Sequence, residues 1–175
     1  MLPAEKMSWL GQTSFEHYRK KGFPNGCLDN VCLCGIKIEE FPNDFRIRGT
    51  RIIECSIQNV NLDSLRLSGC IVGDCIVSNV QIKNMDLKDA TIYGTLFTTS
   101  QIGVLDIRGT TMRKSSIRDC GIEAMHVGGA ELNGTYFYRM RPQVITGQES
   151  LHMTLGGAAD GEVEHYKHLV KSEIF

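Results

Sequence analysis

The sequence lacks long apolar runs and has no excess of charge of either sign. It contains no run of about 18 apolar residues, so no transmembrane helix is predicted. The stretch from Met1 to Gly22 is polar and interrupted, unlike a secretory signal. A net charge of −1, from 19 Lys and Arg against 20 Asp and Glu, gives no general attraction to nucleic acid or anionic membranes. These absences favour a cytoplasmic protein.

Motifs of common catalytic and nucleotide-binding sites are also missing. The sequence has no G-x-S-x-G elbow, no G-x-G-x-x-G loop and no Walker pattern. Asp86 and Asp106 lie 20 residues apart. In the coiled fold predicted below, both would lie on a rigid convex side, which offers no cleft for a substrate. His126 has no obvious acidic partner in the sequence. We therefore predict a protein that is not an enzyme and has no catalytic residues and no cofactor.

The seven cysteines do not form an evident disulfide or metal pattern. Their number is odd in a chain of 175 residues, which favours free thiols in a reducing compartment. Cys27, Cys32 and Cys34 have C-x4-C-x-C spacing rather than the paired C-x-x-C spacing of zinc sites. We therefore expect no metal and predict that Cys32 and Cys34 tolerate exposure beside an inward Leu33; whether the three bind anything stays open. Four other cysteines are predicted to be small, buried apolar residues: Cys55, Cys70, Cys75 and Cys120.

What the sequence does contain is an apolar residue at every fifth position. From Phe45 onward the middle residue of each pentad is apolar in nineteen consecutive pentads, from Ile47 to Phe137. Neither a helix, with a period of about 3.6, nor a strand, with a period of about 2, produces this spacing. Leu28, Leu33 and Ile38 follow the same rule in a shifted frame, and the stretch from Phe41 to Asp44 is expected to absorb the shift.

The first residue of each pentad is never charged, and its bulk repeats every 20 residues. The bulky first residues are Phe45, Leu65, Met85, Leu105 and Met125. We therefore predict that two residues of every five point inward and that four pentads complete one coil with four sides. Stacked coils bury a continuous core that no single repeat can bury.

Motifs such as MDLKD, ATIYG, AELNG and CSIQN resemble those of the pentapeptide-repeat proteins. The resemblance covers about Gly26 to Arg141 and implies an all-β solenoid, a right-handed four-sided β-helix with strands spaced at ~4.8 Å. The sequence departs from the family pattern at the bulky column, where small residues are usual, so this side is expected to bow outward or to turn less regularly. A six-residue reading, typical of hexapeptide-repeat acyltransferases, loses register within two repeats.

The two ends are predicted to differ from the repeat. Residues 1–25 form an N-terminal cap with a short helix from Ser14 to Lys21, residues 26–141 form the β-helix, and residues 142–175 form a C-terminal segment. Val144 to Leu155 has room for one or two strands. Val163, Tyr166, Leu169 and Val170 have helical spacing, which indicates a terminal helix that caps the solenoid or forms a homodimer.

Outward positions sorted by the 20-residue register reveal one apolar surface, which we call the apolar corner. It consists of Ile53, Ile71, Ile76, Tyr93, Leu96 and Tyr136. Such a patch is a candidate protein-binding surface, and the alternative is that a terminal segment covers it.

Two functions follow as hypotheses. The first is a non-enzymatic scaffold that binds an unidentified protein, and no direct nucleic-acid binding is expected. The second follows from the resemblance, because some pentapeptide-repeat proteins imitate DNA and bind DNA gyrase or topoisomerase IV. Mimicry needs an acidic rod, yet Gly26 to Arg141 carries 13 Asp and Glu against 13 Lys and Arg.

Overall fold

The computed structural model describes residues 8–21, 27–29, 31–39, 45–140, 142–147 and 152–154. Within these residues the chain forms one helix and 21 short strands, joined by turns. In chain order they are β1 (Ser8–Leu10), α1 (Gln12–Lys21), β2 (Cys27–Asp29), β3 (Val31–Cys34), β4 (Lys37–Ile38), β5 (Phe45–Arg48), β6 (Arg51–Ile53), β7 (Ser56–Gln58), β8 (Asn61–Arg66), β9 (Ile71–Gly73), β10 (Ile76–Ser78), β11 (Gln81–Asp86), β12 (Thr91–Tyr93), β13 (Leu96–Thr98), β14 (Gln101–Asp106), β15 (Thr111–Arg113), β16 (Ser116–Arg118), β17 (Gly121–His126), β18 (Glu131–Asn133), β19 (Tyr136–Tyr138), β20 (Val144–Thr146) and β21 (His152–Thr154).

The strands form three parallel sheets that run side by side along the molecule. The eight-stranded sheet has the order β1-β3-β6-β9-β12-β15-β18-β21, the six-stranded sheet β19-β16-β13-β10-β7-β4, and the seven-stranded sheet β2-β5-β8-β11-β14-β17-β20. Each coil of the chain adds one strand to each sheet before it returns. The fold is therefore a parallel β-solenoid of about five turns, as the sequence predicts.

Coils are paired at the 20-residue register expected from the sequence. In the seven-stranded sheet Leu65 pairs with Met85, Met85 with Leu105, and Leu105 with Met125. The first coil is one residue shorter, because Leu28 pairs with Ile47 and Ile38 with Ile57. This difference accounts for the shifted frame; the stretch from Phe41 to Asp44 lies outside the described residues.

The core is a column of stacked inward side chains. Every middle residue of a pentad from Ile47 to Leu132 is buried, and the last one, Phe137, is half-buried. The first residues of these pentads from Thr50 to Met140 are buried as well. Because the remaining three residues of each pentad mostly face outward, the coil buries two positions in five, as predicted.

Three of the four pentad ends in a coil turn through left-handed backbone, and the fourth does not. The three turning positions carry positive φ in each coil, for example Gly69, Asp74 and Asn79. The fourth pentad end, at Ser64, Asn84, Val104 and Ala124, lies inside the six-residue strands β8, β11, β14 and β17 and has no positive φ. The bulky residue follows directly, so the turn at this column does differ from the others. The four-sided cross-section stays a prediction.

Polar side chains in the core are satisfied by a ladder of hydrogen bonds between coils. The backbone N–H of Cys75 donates to Thr95 Oγ1 at 3.4 Å, and that of Thr95 donates to Ser115 Oγ at 3.2 Å. Each hydroxyl in turn donates to a carbonyl, at 3.0 Å from Thr95 to Tyr93 and 2.9 Å from Ser115 to Arg113. A buried polar group is stable only with such partners, and this column therefore holds Cys, Thr and Ser.

The N-terminal helix begins two residues earlier than predicted and contacts an edge strand. Phe15 on α1 is buried and belongs to the core cluster. The side-chain amide of Gln12 donates to the carbonyl of Lys37 at 3.2 Å and accepts from its N–H at 2.8 Å, so it bonds the edge strand β4 as a neighbouring strand would. The role of this helix as a cap stays a prediction, and the terminal helix predicted at 163–170 lies outside the described residues.

The structure corrects one prediction for the first coil. Cys32 is buried, with 3% of its surface exposed, whereas Cys34 is half-buried. The strand β1 pairs with β3 at this position, with Trp9 in register with Cys32. Cys32 is therefore not an exposed thiol, and burial together with the neighbouring Cys34 raises its pKa.

The stretch from Val144 to Leu155 holds two strands, β20 and β21.

Gly103 is expected to be intolerant of a methyl group. A Cβ at this position would lie 2.6 Å from the backbone carbonyl oxygen of Lys83, which cannot move without disturbing β11. We expect Gly103→Ala to lower the free energy of unfolding by about 1–3 kcal/mol. The matched control is Gly121→Ala, where the added carbon meets only the end of the Gln101 side chain. Equal denaturant midpoints for the two variants would contradict the argument.

Removal of one hydroxyl from the buried ladder is expected to destabilise the solenoid. Thr95→Val keeps the shape of the side chain but leaves the N–H of Cys75 and the carbonyl of Tyr93 without this partner. We expect a loss of about 1–3 kcal/mol in urea unfolding. Thr91→Val, at an exposed position of the preceding strand, is expected to change stability by less than about 0.5 kcal/mol. A similar loss in both variants would assign the effect to the strand rather than to the ladder.

Candidate functional site

Two residues of the apolar corner are adjacent in one column of the six-stranded sheet. Ile76 opens β10 and Leu96 opens β13, and the two are paired in register. Tyr136 opens β19 in the same column but is separated from Leu96 by Ser116. The predicted column is therefore present, with one polar interruption.

A second column lies across the turn, at the end of strands in the eight-stranded sheet. Ile53, Gly73 and Tyr93 are paired in succession. A Cβ on Gly73 would overlap the ring of Tyr93, so this ring occupies the space that a side chain at Gly73 would take. Sequence reasoning missed Gly73, although the 20-residue register places it beside Tyr93. Because Gly73 has no side chain, the Tyr93 ring can lie against β9.

The exposure of these residues defines what another molecule would meet. Ile76 and Tyr136 are each 44% exposed and Tyr93 is 36% exposed, whereas Ile53, Ile71 and Leu96 are half-buried. Ile71 is the first residue of β9, in register with Arg51 and Thr91. It therefore lies at the end of its strand that is away from the turn. The structure thus brings four of the six predicted residues to one turn and places Ile71 and Tyr136 at its margins.

Charged residues lie at the turn between the two apolar columns, and two polar atoms at its N-terminal side have no hydrogen bond. Glu54 and Asp74 are exposed at this turn, and Arg113 follows Tyr93 in its column. Burial raises the pKa of Tyr93, and the neighbouring Asp74 raises it further, against a smaller opposing effect of Arg51. Arg51 Nε and Ser56 Oγ are buried without a hydrogen-bond partner. They lie one coil before Ile71 and Ile76, in the same columns.

A polar column on the seven-stranded sheet was the best alternative for chemistry. Asp106 and His126 are paired in register, so His126 has an acidic neighbour that the sequence reasoning did not recognise. However, Arg108 Nε contacts both Asp106 carboxylate oxygens, at 2.9 and 3.1 Å, and His126 Nδ1 lies 2.6 Å from Thr146 Oγ1. Asp106 and His126 are therefore each held by another neighbour rather than by one another.

The described part of the chain offers no evident reactive thiol or metal centre. The hydrogen bond between the two side chains lowers the pKa of Cys55 and, together with burial, raises that of Cys75, and burial raises the pKa of Cys120. All three thiols are buried, with at most 3% of each residue exposed, so none is open to a reagent. No three His, Cys, Asp or Glu residues are grouped as metal ligands among the described residues. Within the same residues, α1 is too short and polar to span a bilayer.

No protein-family model matches this chain, and no curated protein matches it.

Acid sensitivity is expected from Asp106. Partial burial disfavours its charge, but the side-chain and backbone hydrogen bonds from Arg108 outweigh burial and lower its pKa below the ordinary 3.8. Its contribution to stability is therefore present above pH 3.8 and is lost as the pH falls through the lower folded value.

The measurement is thermal unfolding of wild type and Asp106→Asn between about pH 7 and about pH 2.5. We expect the wild type to lose more stability than the variant in the acidic range, so that the two curves converge there. Asp119→Asn is the control, because its exposed pair with Arg139 is longer, at 3.7 Å, and worth little. Parallel curves for wild type and Asp106→Asn would contradict the assignment.

Proposed function

We propose that this protein is a pentapeptide-repeat β-helix with a four-sided cross-section that acts as a rigid, non-enzymatic scaffold for another protein. The pentads, the 20-residue register and the parallel solenoid support the family assignment. The proposed role rests on one observation above all. Apolar side chains occupy outward positions in successive coils at a single turn, where the repeat elsewhere places polar residues.

The apolar corner has properties of a protein-binding surface. Exposed Ile76 and Tyr93 lie beside half-buried Leu96 and Ile53, so a partner can bury apolar area on a surface that is already ordered. Below this surface the hydrogen bonds of Cys75, Thr95 and Ser115 hold three coils together. A preorganised surface loses little conformational entropy on binding. Aromatic and aliphatic residues of this kind are common at interface centres.

The DNA-mimic alternative receives less support from the exterior charges. Asp63 pairs with Lys83 at 2.6 Å, Asp106 with Arg108, and Asp119 with Arg139. Pairing between successive coils for Asp63 and Asp119, and within one coil for Asp106, neutralises three carboxylates that a phosphate mimic would need to present. The free cysteines of the described residues suit a reducing compartment, which supports a cytoplasmic role.

The proposal is tested by capture from host lysate with immobilised protein, comparing wild type with Ile76→Glu/Leu96→Glu. Two carboxylates placed in the apolar column would be desolvated by any partner, so we expect retention of a specific partner to fall about tenfold or more. The matched control is Gln81→Glu/Gln101→Glu. These two residues are also exposed and paired in register, but they lie on the seven-stranded sheet. The control is expected to retain the partner, and circular dichroism confirms that all three proteins fold.

Salt and molecular mass separate the remaining outcomes. An interface at the apolar corner should survive added salt, whereas a DNA mimic should release a type II topoisomerase as salt rises. Capture of such an enzyme by wild type and both variants alike would put the mimic first. Mass measurement by light scattering tests self-association. A dimer in wild type and control, but not in the Ile76→Glu/Leu96→Glu variant, would make a second copy the partner.

A further inference from the structure

The outward column that contains Ile76 and Leu96 has the same pattern when it is read from either end. Its residues open the strands β7, β10, β13 and β16, and their order is polar, apolar, apolar, polar: Ser56, Ile76, Leu96 and Ser116. Reversal of the column leaves this pattern unchanged, with the midpoint between Ile76 and Leu96. The column can therefore pack against a reversed copy of itself, with apolar side chains at the centre.

The neighbouring turn column reverses its charge about the same midpoint. It lies two positions before the openings of those strands, and each of its residues has positive φ: Glu54, Asp74, Gly94 and Lys114. Negative charge thus occupies the first half and positive charge the second half. The midpoint between Glu54 and Lys114 falls between the coils of Asp74 and Gly94, which are also the coils of Ile76 and Leu96. Two adjacent columns are therefore self-complementary about one axis.

The charges of this turn column are exposed and available to another molecule. Glu54, Asp74 and Lys114 are all exposed. None of the ion pairs formed within the described part of the chain includes any of them, whereas Asp63 and Asp119 on other columns are paired with cations of the next coil. Charges that lack a partner beside exposed apolar side chains select a binding partner with the opposite charge pattern.

The remaining outward column of the six-stranded sheet permits a close approach. Ser78 and Thr98 lie half-buried at its middle, between Gln58 and Arg118. Sheets that pack face to face lie about 10 Å apart. Small side chains at the middle of the column, with longer polar ones at its ends, leave the central coils free to meet another flat sheet.

We propose that two copies of this chain pack face to face through the six-stranded sheet, with antiparallel rods and a two-fold axis between Ile76 and Leu96. Ile76 of each copy then lies opposite Leu96 of the other, and Glu54 lies opposite Lys114. A closed two-fold dimer needs a self-complementary surface, which these two columns provide. Parallel rods would bring unlike columns together and would leave Glu54 without Lys114. The inference rests on the proposed function, because it names the partner of the same surface.

The contact between the two copies is small. At a strand spacing of ~4.8 Å, the coils from Ser56 to Ser116 extend over roughly 15–20 Å. Such a face buries less than about 1,200 Å² in total, which is the size of weak interfaces. We therefore expect a dimer with a Kd on the order of 1–100 μM. The two pairs of Glu54 with Lys114 fix its orientation more than its affinity.

The test is sedimentation velocity of the full-length protein from about 1 to about 300 μM, with Glu54→Lys and Lys114→Glu measured separately and mixed. Each variant alone places like charges opposite one another twice in its dimer, so we expect its Kd to rise about tenfold or more. An equimolar mixture of the two restores opposite charges at both places and should form a mixed dimer with the Kd of the wild type. A contact elsewhere on the molecule would not give this rescue.

The variants are designed to keep the fold. Lysine and glutamate each occur in this turn column at positive φ, at Lys114 and Glu54, so each substitution introduces a residue type that the column already accommodates. Circular dichroism checks that both proteins fold. The matched control, Glu123→Lys, makes the same change of charge at an exposed residue of the seven-stranded sheet and should dimerise as the wild type does.

Three results would overturn the inference, and they differ in what they mean for the proposed function. A wild type that stays monomeric, while Ile76→Glu/Leu96→Glu loses a protein captured from lysate, would leave the proposed function standing with a different partner. A dimer that Ile76→Glu/Leu96→Glu disrupts, but Glu54→Lys and Lys114→Glu retain, would reject the antiparallel arrangement. A dimer that survives all of these changes, without any other protein being captured, would reject the surface itself.

Discussion

Parallel backbone pairing between successive coils, at a fixed register of 20 residues, is the constraint on which the structure depends. Because residue n lies directly beside residue n + 20 in the coils from Phe45 to Tyr138, residues at the same place in successive coils form columns along the rod. Leu65, Met85, Leu105 and Met125 stack in this way inside the seven-stranded sheet. A single residue out of phase would turn inward side chains outward, which explains the uniform length of the coils from Phe45 to Met140.

The same stacking explains how the core accommodates polar residues. A hydroxyl or thiol at the first position of a pentad lies close to backbone groups of its own coil and of the preceding one. Thr95 accepts from Cys75 and donates to Tyr93, so neither the side chain nor the two backbone groups is left unpaired. In the column of Cys55, Cys75, Thr95 and Ser115, burial of polar side chains is stable because each coil supplies a hydrogen-bond partner for the preceding coil.

Column geometry also separates the parts of the surface by their chemistry. On the seven-stranded sheet, Asp63 is paired with Lys83 and Asp106 is engaged by Arg108. At the turn between the eight-stranded and six-stranded sheets, apolar residues meet instead, and Gly73 lets Tyr93 pack closely against the strand. This contrast is the reason for proposing recognition of a protein rather than catalysis or imitation of nucleic acid.

The pentad pattern alone was sufficient to predict the solenoid, its register and most of its core, because each inward position depends only on a periodic, local choice of side chain. The column of Ile76 and Leu96 followed from the same arithmetic. Contacts that depend on side-chain direction or on the chain ends were not predictable. The placement of the Tyr93 ring over Gly73 depends on the rotamer of the tyrosine. The engagement of Asp106 by Arg108 depends on the turn between them. The environment of Cys32 depends on β1, a strand that lies outside the repeat. Which residues stack follows from the sequence alone, since stacking repeats with the chain. Which outward groups pair, how Gln12 bonds the strand β4, and why Phe137 stays half-buried depend on contacts that form only in the folded chain.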